Sequence, residues 1–288
     1  NNGFADDVIG YDFTDQPRSP FGGDYINPDA DPLDDNSHGT FVSGIIASKS
    51  NNSFGGTGIA PDCKIVTLRA FSASSAGEDD DIARAIVYAA DNGIKLLNLS
   101  FGDIYPSRMM QEAIRYAYAR GVIMIGSAGN GTGDNLHYPS GFPEVISVSA
   151  STFDAESGRE FLWPLSSYGL TVDLCAPGAG IIAPTLRDTS DEGDITYFLR
   201  AQGTSAAAPM VAAAAAMLLA QRGELSPEQV RGFLTTSADD ISQNGWDHFT
   251  GAGRLNIERA LNLAGGSQVR ITSPAHDKGS DRDSAYIV

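Results

Sequence analysis

The sequence predicts an α/β protein of three layers (α/β/α), in which a mainly parallel central sheet lies between two layers of helices. Strands that are apolar throughout alternate along the chain with helices that are apolar on one face, which is typical of a parallel sheet covered on both sides. The first helices end on glycine, a common stop signal. The chain has 288 residues, of which 42% are hydrophobic, so it can bury a sizeable core.

The elements follow a regular order through the first half of the chain. Four apolar runs are predicted as strands: residues 63–71, 94–100, 122–130 and 145–150. Two segments between them have apolar residues at helical spacing: residues 79–93 and 107–121. Ser107 is expected to cap the second of these helices and Gly121 to end it. Because chemistry in parallel sheets gathers at the carboxyl ends of the strands, the loops after Ser100 and Asn130 are the informative ones.

The second half of the chain is predicted to be mostly helical. Residues 201–222 form an alanine-rich helix, and residues 256–264 form a closing helix. Between them Ser226 caps another helix, with Pro227 at its first position and Gln229 able to reach back to the cap.

The composition excludes several classes of function. The chain carries 19 basic and 36 acidic residues, a net charge of −17, which argues against binding to nucleic acid. Its two cysteines, Cys63 and Cys175, are expected to be buried free thiols rather than part of a disulfide framework or a zinc site. The longest apolar run, residues 210–220, is too short for a membrane span, which needs about 20 residues.

A single serine lies at the start of the alanine-rich helix. Ser205 follows Gly203 and Thr204, and the glycine permits a tight turn from strand to helix. Free backbone N–H groups at a helix N-terminus favour developing negative charge. The position suits a nucleophile that forms an oxyanion, and an ordinary N-cap serine is the alternative.

Two further segments favour the catalytic interpretation. His38 precedes Gly39 and Thr40 at the predicted start of a helix of small residues, where an imidazole can face a cleft. Asn130 stands at the end of a predicted strand, and an amide in that place can donate a hydrogen bond to an oxyanion.

Three motifs, taken in this order, resemble the subtilisin-like serine proteases, the subtilase family. They are HGTFVSG at residues 38–44, GSAGN at 126–130 and GTSAAAP at 203–209. Supporting stretches include GTGIAP at 56–61 and LNLSFG at 97–102. The resemblance implies a subtilisin-like fold and a serine endopeptidase that acts on polypeptides and needs no organic cofactor.

The resemblance also implies a role for each matching residue. Ser205 would attack the peptide carbonyl, His38 would take its proton, and Asn130 with the Ser205 N–H would hold the oxyanion. The substrate would bind as an added strand and place its P1 side chain in an S1 pocket. The residues implied in this binding are Ser100, Phe101 and Gly102 along the strand, and Ser127, Ala128 and Gly129 in one wall of S1.

His137 departs from the family's pattern, because many subtilases carry a glycine at the corresponding point on the floor of S1. We hypothesise that the His137 ring fills or polarises this pocket and disfavours large aromatic P1 residues. A histidine in a surface loop is the alternative.

Residues 48–61 resemble the loop that wraps a structural calcium ion in many subtilases. The implied ligands are the side chain of Asn52 and the backbone carbonyls of Ser50, Phe54 and Gly56. Calcium takes six to eight oxygens, so the remaining ligands would have to come from elsewhere in the protein.

The aspartate that orients the histidine in this family has no matching motif ahead of His38. We therefore expect residues 1–264 to be a catalytic domain that lacks its N-terminal, aspartate-bearing strand, and residues 265–288 to be a linker or the start of a further segment. The missing strand, or a propeptide, is then an expected partner besides the polypeptide substrate. Other aspartates that could substitute for it are Asp7, Asp12, Asp34 and Asp35.

Other functions stay open. The same fold could act as a transpeptidase or macrocyclase, or the chain could be an inactive fragment or pseudoprotease that binds without cleaving. A nucleotide-binding domain is disfavoured because no glycine-rich phosphate motif follows a strand. The resemblance and the acidic charge favour a secreted, extracellular protein of a bacterium with no insertion in a membrane.

Overall fold

The computed structural model describes residues 4, 7, 9–15, 27–53, 55–134, 136–188 and 196–265. Within these residues the helices are α1 His38–Ala47, α2 Asp79–Asp91, α3 Arg108–Ala119, α4 Thr204–Arg222, α5 Pro227–Thr236 and α6 Ile257–Gly265. The strands are β1 Gly10–Asp12, β2 Thr67–Arg69, β3 Leu96–Leu99, β4 Ile123–Ser127, β5 Val145–Asp154, β6 Arg159–Leu162, β7 Leu174–Pro177, β8 Ile181–Asp188 and β9 Thr196–Ala201.

The main sheet is mostly parallel, as the sequence predicts. Strands β3, β4, β5 and β7 pair with one another in parallel, and β6 pairs with β5 in the antiparallel direction. Two smaller units complete the strands of the described residues. β1 pairs parallel with β2, and β8 forms an antiparallel hairpin with β9.

Alternate side chains of the central strands enter different halves of the core. In β4, Met124 packs in a cluster with α2 and α3, whereas Ile123 and Ile125 pack in a second cluster with α4. Because successive side chains of a strand point to opposite faces, a strand covered on both sides must be apolar throughout. All five residues of β4 are buried, and the three-layer prediction is confirmed.

The helix ends follow the signals in the sequence. Ser107 Oγ accepts a hydrogen bond from the N–H of Met110, and Gly121 adopts a positive φ of 79° just after α3. At the start of α5, Ser226 and Gln229 form a reciprocal capping box. These caps satisfy N–H groups that have no partner within the helix itself.

Several predicted elements differ in extent from the observed ones. β2 covers only Thr67–Arg69 of the predicted strand 63–71, and β5 continues to Asp154 because its end pairs with β6. α4 begins at Thr204 rather than at residue 201, because Ala201 is the last residue of β9. Strands β1, β6 and β7 and the hairpin β8–β9 were not predicted. Residues 266–288, part of the predicted linker, lie outside the described residues.

Helix α4 lies in the core. Among the described helices, α4 is long and apolar enough to cross a membrane. The sequence predicts no span here, because its uninterrupted apolar run covers only residues 210–220. Residues 212–215 are alanines with an exposed fraction of at most 1%, and they pack against the central strands. A mostly buried core helix of a soluble protein has the same length and composition, so this helix is no argument for a membrane.

Both cysteines are free thiols, as expected. Cys175 in β7 is fully buried, whereas Cys63 is only half-buried, so the expectation of two buried thiols is wrong for Cys63.

Two strand edges have no partner within the described part of the chain. β2 pairs only with β1, and β3 pairs only with β4. Ile65 and Val66, just before β2, are 40% and 45% exposed, although β-branched apolar residues usually lie in a sheet core. The side-chain oxygen of Asn98 in β3 is buried without a hydrogen-bond partner. Unpaired edges of this kind can accept a further strand.

Candidate active site

Ser205 lies in the first turn of α4, where the sequence predicts it. Gly203 precedes the helix with φ near +143°, a conformation that side chains rarely adopt. The Ser205 hydroxyl donates a hydrogen bond of 3.2 Å to the carbonyl oxygen of Ser100, which follows β3. The Ser205 N–H is among the first N–H groups of the helix and has no acceptor within it. The nucleophile candidate therefore sits beside a free donor and the end of a central strand.

A proline inside α4 explains the second bond between these two segments. Pro209 has no N–H, so the carbonyl of Ser205, four residues earlier, loses its partner within the helix. The Ser100 hydroxyl donates to this carbonyl at 3.1 Å and satisfies it. Asn98 in turn donates its side-chain N–H to Ser100 Oγ at 2.9 Å. The end of β3 and the start of α4 are thus joined by reciprocal hydrogen bonds.

The Asn130 side chain is fixed by Thr204, the residue before Ser205. Its oxygen accepts two hydrogen bonds, from the Thr204 N–H at 2.9 Å and the Thr204 hydroxyl at 3.0 Å. The same hydroxyl also accepts a bond from the Gly129 N–H at 3.1 Å. Because the oxygen of the amide is engaged on this side, the Nδ2 hydrogens remain for another acceptor. Thr204 is a residue of the candidate site that the sequence reasoning did not single out.

His38 is the first residue of α1, and Asp34 caps this helix. One carboxylate oxygen of Asp34 accepts from the N–H groups of Asn36 and Ser37, and the other accepts from the N–H and hydroxyl of Thr40. These bonds lower the pKa of Asp34, although burial acts to raise it, so the carboxylate is charged at neutral pH. Ser37 holds the N-cap position but makes no side-chain capping bond, and Asp34, three residues earlier, satisfies the Thr40 N–H in its place.

The electrostatics of His38 reflect this neighbour. Desolvation lowers the pKa of the imidazole below its usual value, and the negative charge of Asp34 acts in the opposite direction. The residue as a whole remains exposed to solvent. A neutral imidazole at pH 7 is the form that can accept a proton from a serine.

The structure brings α1 and α4 together near their N-termini. Phe41 and Val42 of α1 share a buried cluster with Ala206, the residue after Ser205. No hydrogen bond joins the His38 ring to Ser205 among the described residues, since the serine hydroxyl is bonded to Ser100.

None of the four aspartates considered as substitutes forms a hydrogen bond with the His38 ring within the described residues, and each has another partner. Asp12 and Asp35 both pair with Arg69, at 2.9 Å each. Asp7 accepts a bond from the Tyr88 hydroxyl, and Asp34 caps α1.

His137 lies between the two segments implied in S1. A methyl group placed on Gly102 would lie 2.4 Å from the ring carbon Cε1, and one placed on Gly129 would lie 2.9 Å from Cδ2. The ring nitrogen Nδ1 is 2.9 Å from the carbonyl oxygen of Ser127. On the other side, Asp103 and Tyr138 exchange backbone hydrogen bonds and hold the loop beside the strand. The ring therefore occupies the space between the predicted pocket walls.

The expected calcium loop supplies few of the oxygens that calcium prefers. Asn52 and Gly56 border a cavity of about 350 Å³, which Ser48, Thr185 and Lys49 also line. This described lining offers neutral oxygens and an ammonium group but no carboxylate, so by itself it does not fit a calcium site. Phe54 lies outside the described residues, and the expectation for Ser50 stays a prediction.

An acidic cluster was not foreseen from the sequence. Asp15, Asp80 and Asp81 bring carboxylate oxygens within 4.8 Å of one another, although 65 residues separate the first from the others in the chain. Arg84 already pairs with all three. Burial raises the pKa of Asp81 to about 6, since its side chain is fully buried. The guanidinium thus supplies the positive charge that this cluster needs.

The candidate site combines a serine at a helix N-terminus, an amide held by hydrogen bonds and a histidine at the start of a second helix. This combination on a parallel sheet defines a candidate serine hydrolase. The model of the subtilase family matches residues 12–253, and the chain belongs to this family.

Relatives of known name are similar along most of the chain. The thermophilic serine proteinase of Bacillus sp. (strain AK1) is 36% identical over 241 residues, which are 83% of this chain and 56% of that protein. Fervidolysin of Fervidobacterium pennivorans is 38% identical over 245 residues, 78% of this chain and 34% of that protein. The chain thus spans about half and about a third of the length of these two relatives.

Solved structures share the fold. The crystal structure of fervidolysin, described as a keratinolytic enzyme related to subtilisin, has a TM-score of 0.71 at 35% identity and covers 79% of this chain and 36% of that one. The structure of sphericase has a TM-score of 0.72 at 26% identity, and the match covers 88% of this chain and 87% of sphericase. The predicted subtilisin-like fold is confirmed.

Proposed function

We propose that this chain carries the catalytic machinery of a serine endopeptidase, with Ser205 as nucleophile and His38 as general base. The side-chain N–H of Asn130 and the N–H of Ser205 form the oxyanion hole. The observation that supports this most is the pair of bonds from Thr204 to the Asn130 oxygen, because they direct the amide's donors away from Thr204. Such preorganised donors stabilise charge that develops in the transition state.

The reaction proceeds through an acyl-enzyme. The Ser205 oxygen bonds to the peptide carbonyl carbon while its proton passes to the His38 imidazole. The carbon–nitrogen bond then breaks, and the imidazole gives the proton to the departing amine. A water molecule then attacks the acyl carbon while the imidazole takes its proton. The ester bond to Ser205 breaks, the imidazole returns the proton to the serine oxygen, and the acid is released. Before attack, the hydroxyl must give up its bond to the Ser100 carbonyl.

The orienting carboxylate comes from a further parallel strand between β2 and β3. Both edges lack a partner within the described residues, and both adjoining units are parallel. Leu68 and Leu97 border the same core cluster, so an apolar strand there would continue it. A segment outside the described residues, covalently linked or separate, supplies this strand and completes the catalytic domain predicted for residues 1–264.

The substrate is a polypeptide that adds a strand along residues 100–102. Its P1 side chain enters S1 beside residues 127–129, where His137 takes up much of the space. Large aromatic P1 residues are therefore disfavoured. The test compares cleavage of two peptides that differ only in P1, alanine or phenylalanine. His137→Gly should cleave the phenylalanine peptide faster than the unchanged chain does. Equal P1 preferences of the two proteins would contradict the proposal.

The relatives are bacterial, and we propose that the protein is likewise a bacterial, secreted one. A structural calcium ion at Asn52 would need carboxylates from outside the described lining. A melting temperature that falls when a chelator is added would show that such further ligands exist, and an unchanged one would count against calcium at this loop.

A fluorophosphonate probe tests the central proposal. A working nucleophile labels at Ser205, and both Ser205→Ala and His38→Ala lose the label. An inactive binding module is the second candidate, favoured by the hydroxyl's bond to Ser100 instead of to His38. Absence of labelling, with the native fold intact by circular dichroism, would favour that candidate.

A further inference from the structure

An ionisable ring lies between two backbone segments that are implied in the S1 pocket. The His137 ring contacts the positions of both Gly102 and Gly129, at its Cε1 and Cδ2 atoms respectively. The atom that connects these two carbons is Nε2. Any change of charge at Nε2 therefore takes place between the walls of the pocket.

The hydrogen bonding fixes which nitrogen titrates. Nδ1 faces the carbonyl oxygen of Ser127 at 2.9 Å, and a carbonyl can only accept. Nδ1 therefore carries a hydrogen in the neutral ring, and Nε2 holds the lone pair. Protonation adds the second hydrogen at Nε2. The ring then becomes a cation with a donor inside the pocket.

The surroundings of the ring act on it in opposite directions, and their net effect lowers the pKa of His137. Desolvation lowers the pKa of His137, whereas the carbonyls of Ser127 and Gly102 and the charge of Asp103 raise it. Ser140, near the ring at 3.5 Å, and Ser167, beside Gly129, are uncharged. Asp103 is thus the charged group that acts on the ring among the described residues. A second carboxylate placed in the pocket would favour the cation further.

We propose that S1 reads the charge of the P1 side chain through Nε2 of His137, and that a P1 glutamate or aspartate is preferred over the matching amide when the ring is protonated. The inference rests on the proposed function only for the location of the cleft. A P1 carboxylate ionises near pH 4.3. The preference is therefore greatest between that pH and the pKa of the ring, and it is lost as pH rises through the ring's pKa.

Binding tests the inference without any turnover. The full chain with Ser205→Ala is titrated by NMR in the presence of acetyl-Ala-Ala-Pro-Glu-amide or the same peptide ending in Gln. Of the four histidines, His137 is assigned by its loss in His137→Gln. The pKa of His137 should be higher with the glutamate peptide than with the glutamine peptide. Equal values for the two peptides, at concentrations where both bind, would overturn the proposal.

Cleavage supplies the second measurement. The ratio of kcat/KM for P1 glutamate to P1 glutamine cancels the titration of His38, which acts on both substrates alike. This ratio should rise about threefold to tenfold as pH falls from 8 through the pKa of His137 measured by NMR, and it should stay flat in His137→Gln. A flat ratio in the unchanged chain would overturn the inference and leave the protease proposal intact. Absence of cleavage even when the aspartate-bearing strand is supplied, with the NMR difference present, would overturn the protease proposal and leave the S1 inference standing.

Discussion

The two sides of the cleft differ in how completely they are bonded. On the serine side, Ser205, Ser100, Asn130 and Thr204 form a chain of hydrogen bonds that leaves little freedom. On the histidine side, His38 is exposed, and the strands that should support it have open edges. The comparison indicates that the proposed nucleophile and oxyanion donor are held by hydrogen bonds between segments far apart in the chain, whereas the ring of the proposed base has no such bond to Ser205 among the described residues.

The largest effect is expected from completing the histidine side. We would add a peptide of about seven apolar residues with one central aspartate, fused or in trans. Turnover should rise by about 10⁴-fold, the size of the effect when a serine protease triad loses its aspartate. The same peptide with asparagine is the control and should restore stability but not rate. If both peptides raise turnover equally, the strand is a structural support only.

The serine side is tested by removing its amide. Asn130→Ala should reduce kcat by about 10²–10³-fold with little change in KM, the range found when subtilisin, of the same family, loses one oxyanion donor. Thr204→Val removes one of the two bonds to the amide and should cost about tenfold. An equal loss in both variants would show that Thr204 does more than hold the amide.

The histidine side is held to the rest of the molecule by Arg69, which pairs with Asp12 and Asp35. Arg69→Met should lower the free energy of unfolding at pH 7 by about 3 kcal/mol, because Asp12 is only 2% exposed and would lose its countercharge. The free energy of unfolding is measured with urea for this variant and for the control Arg120→Met. Arg120 is 44% exposed, so its replacement should cost less stability.

The pH dependence of this variant has a definite sign. Burial raises the pKa of Asp12 above its unfolded value, so the folded state binds this proton more readily. Ionisation of Asp12 therefore costs stability as pH rises from about 4 through its folded pKa. The loss in free energy of unfolding caused by Arg69→Met should therefore be smaller below that pKa, where Asp12 is protonated. A deficit that is constant from pH 4 to pH 7 would count against this account.

The smallest effect concerns the charge beside the base. Asp34→Asn removes the charge that raises the pKa of His38, so this pKa should fall further below its usual value. Because the base must be neutral, the acid limb of kcat/KM should move to lower pH. Asp35→Asn is the matched control, since Asp35 pairs with Arg69. Equal movement in both variants would show that the effect is only one of net charge.

Much of the fold could be predicted because its signals are local. Apolar spacing located α2 and α3, and Ser226 with Gln229 located the start of α5. The hairpin β8–β9 was missed because strand pairing depends on the partner more than on the segment's own pattern. The cluster of Asp15, Asp80 and Asp81 was missed because its members are distant in the chain.

The sequence by itself determined the family, the alternation of strands and helices through residues 79–150, and the position of Ser205 at a helix start. Only the tertiary structure decided that Ser100 satisfies the carbonyl freed by Pro209, and that the His137 ring lies between Gly102 and Gly129. The physical reason is that periodicity and capping act over a few residues and can be read along the chain. Hydrogen bonds and contacts between distant loops exist only once the packed sheet has brought their backbones together.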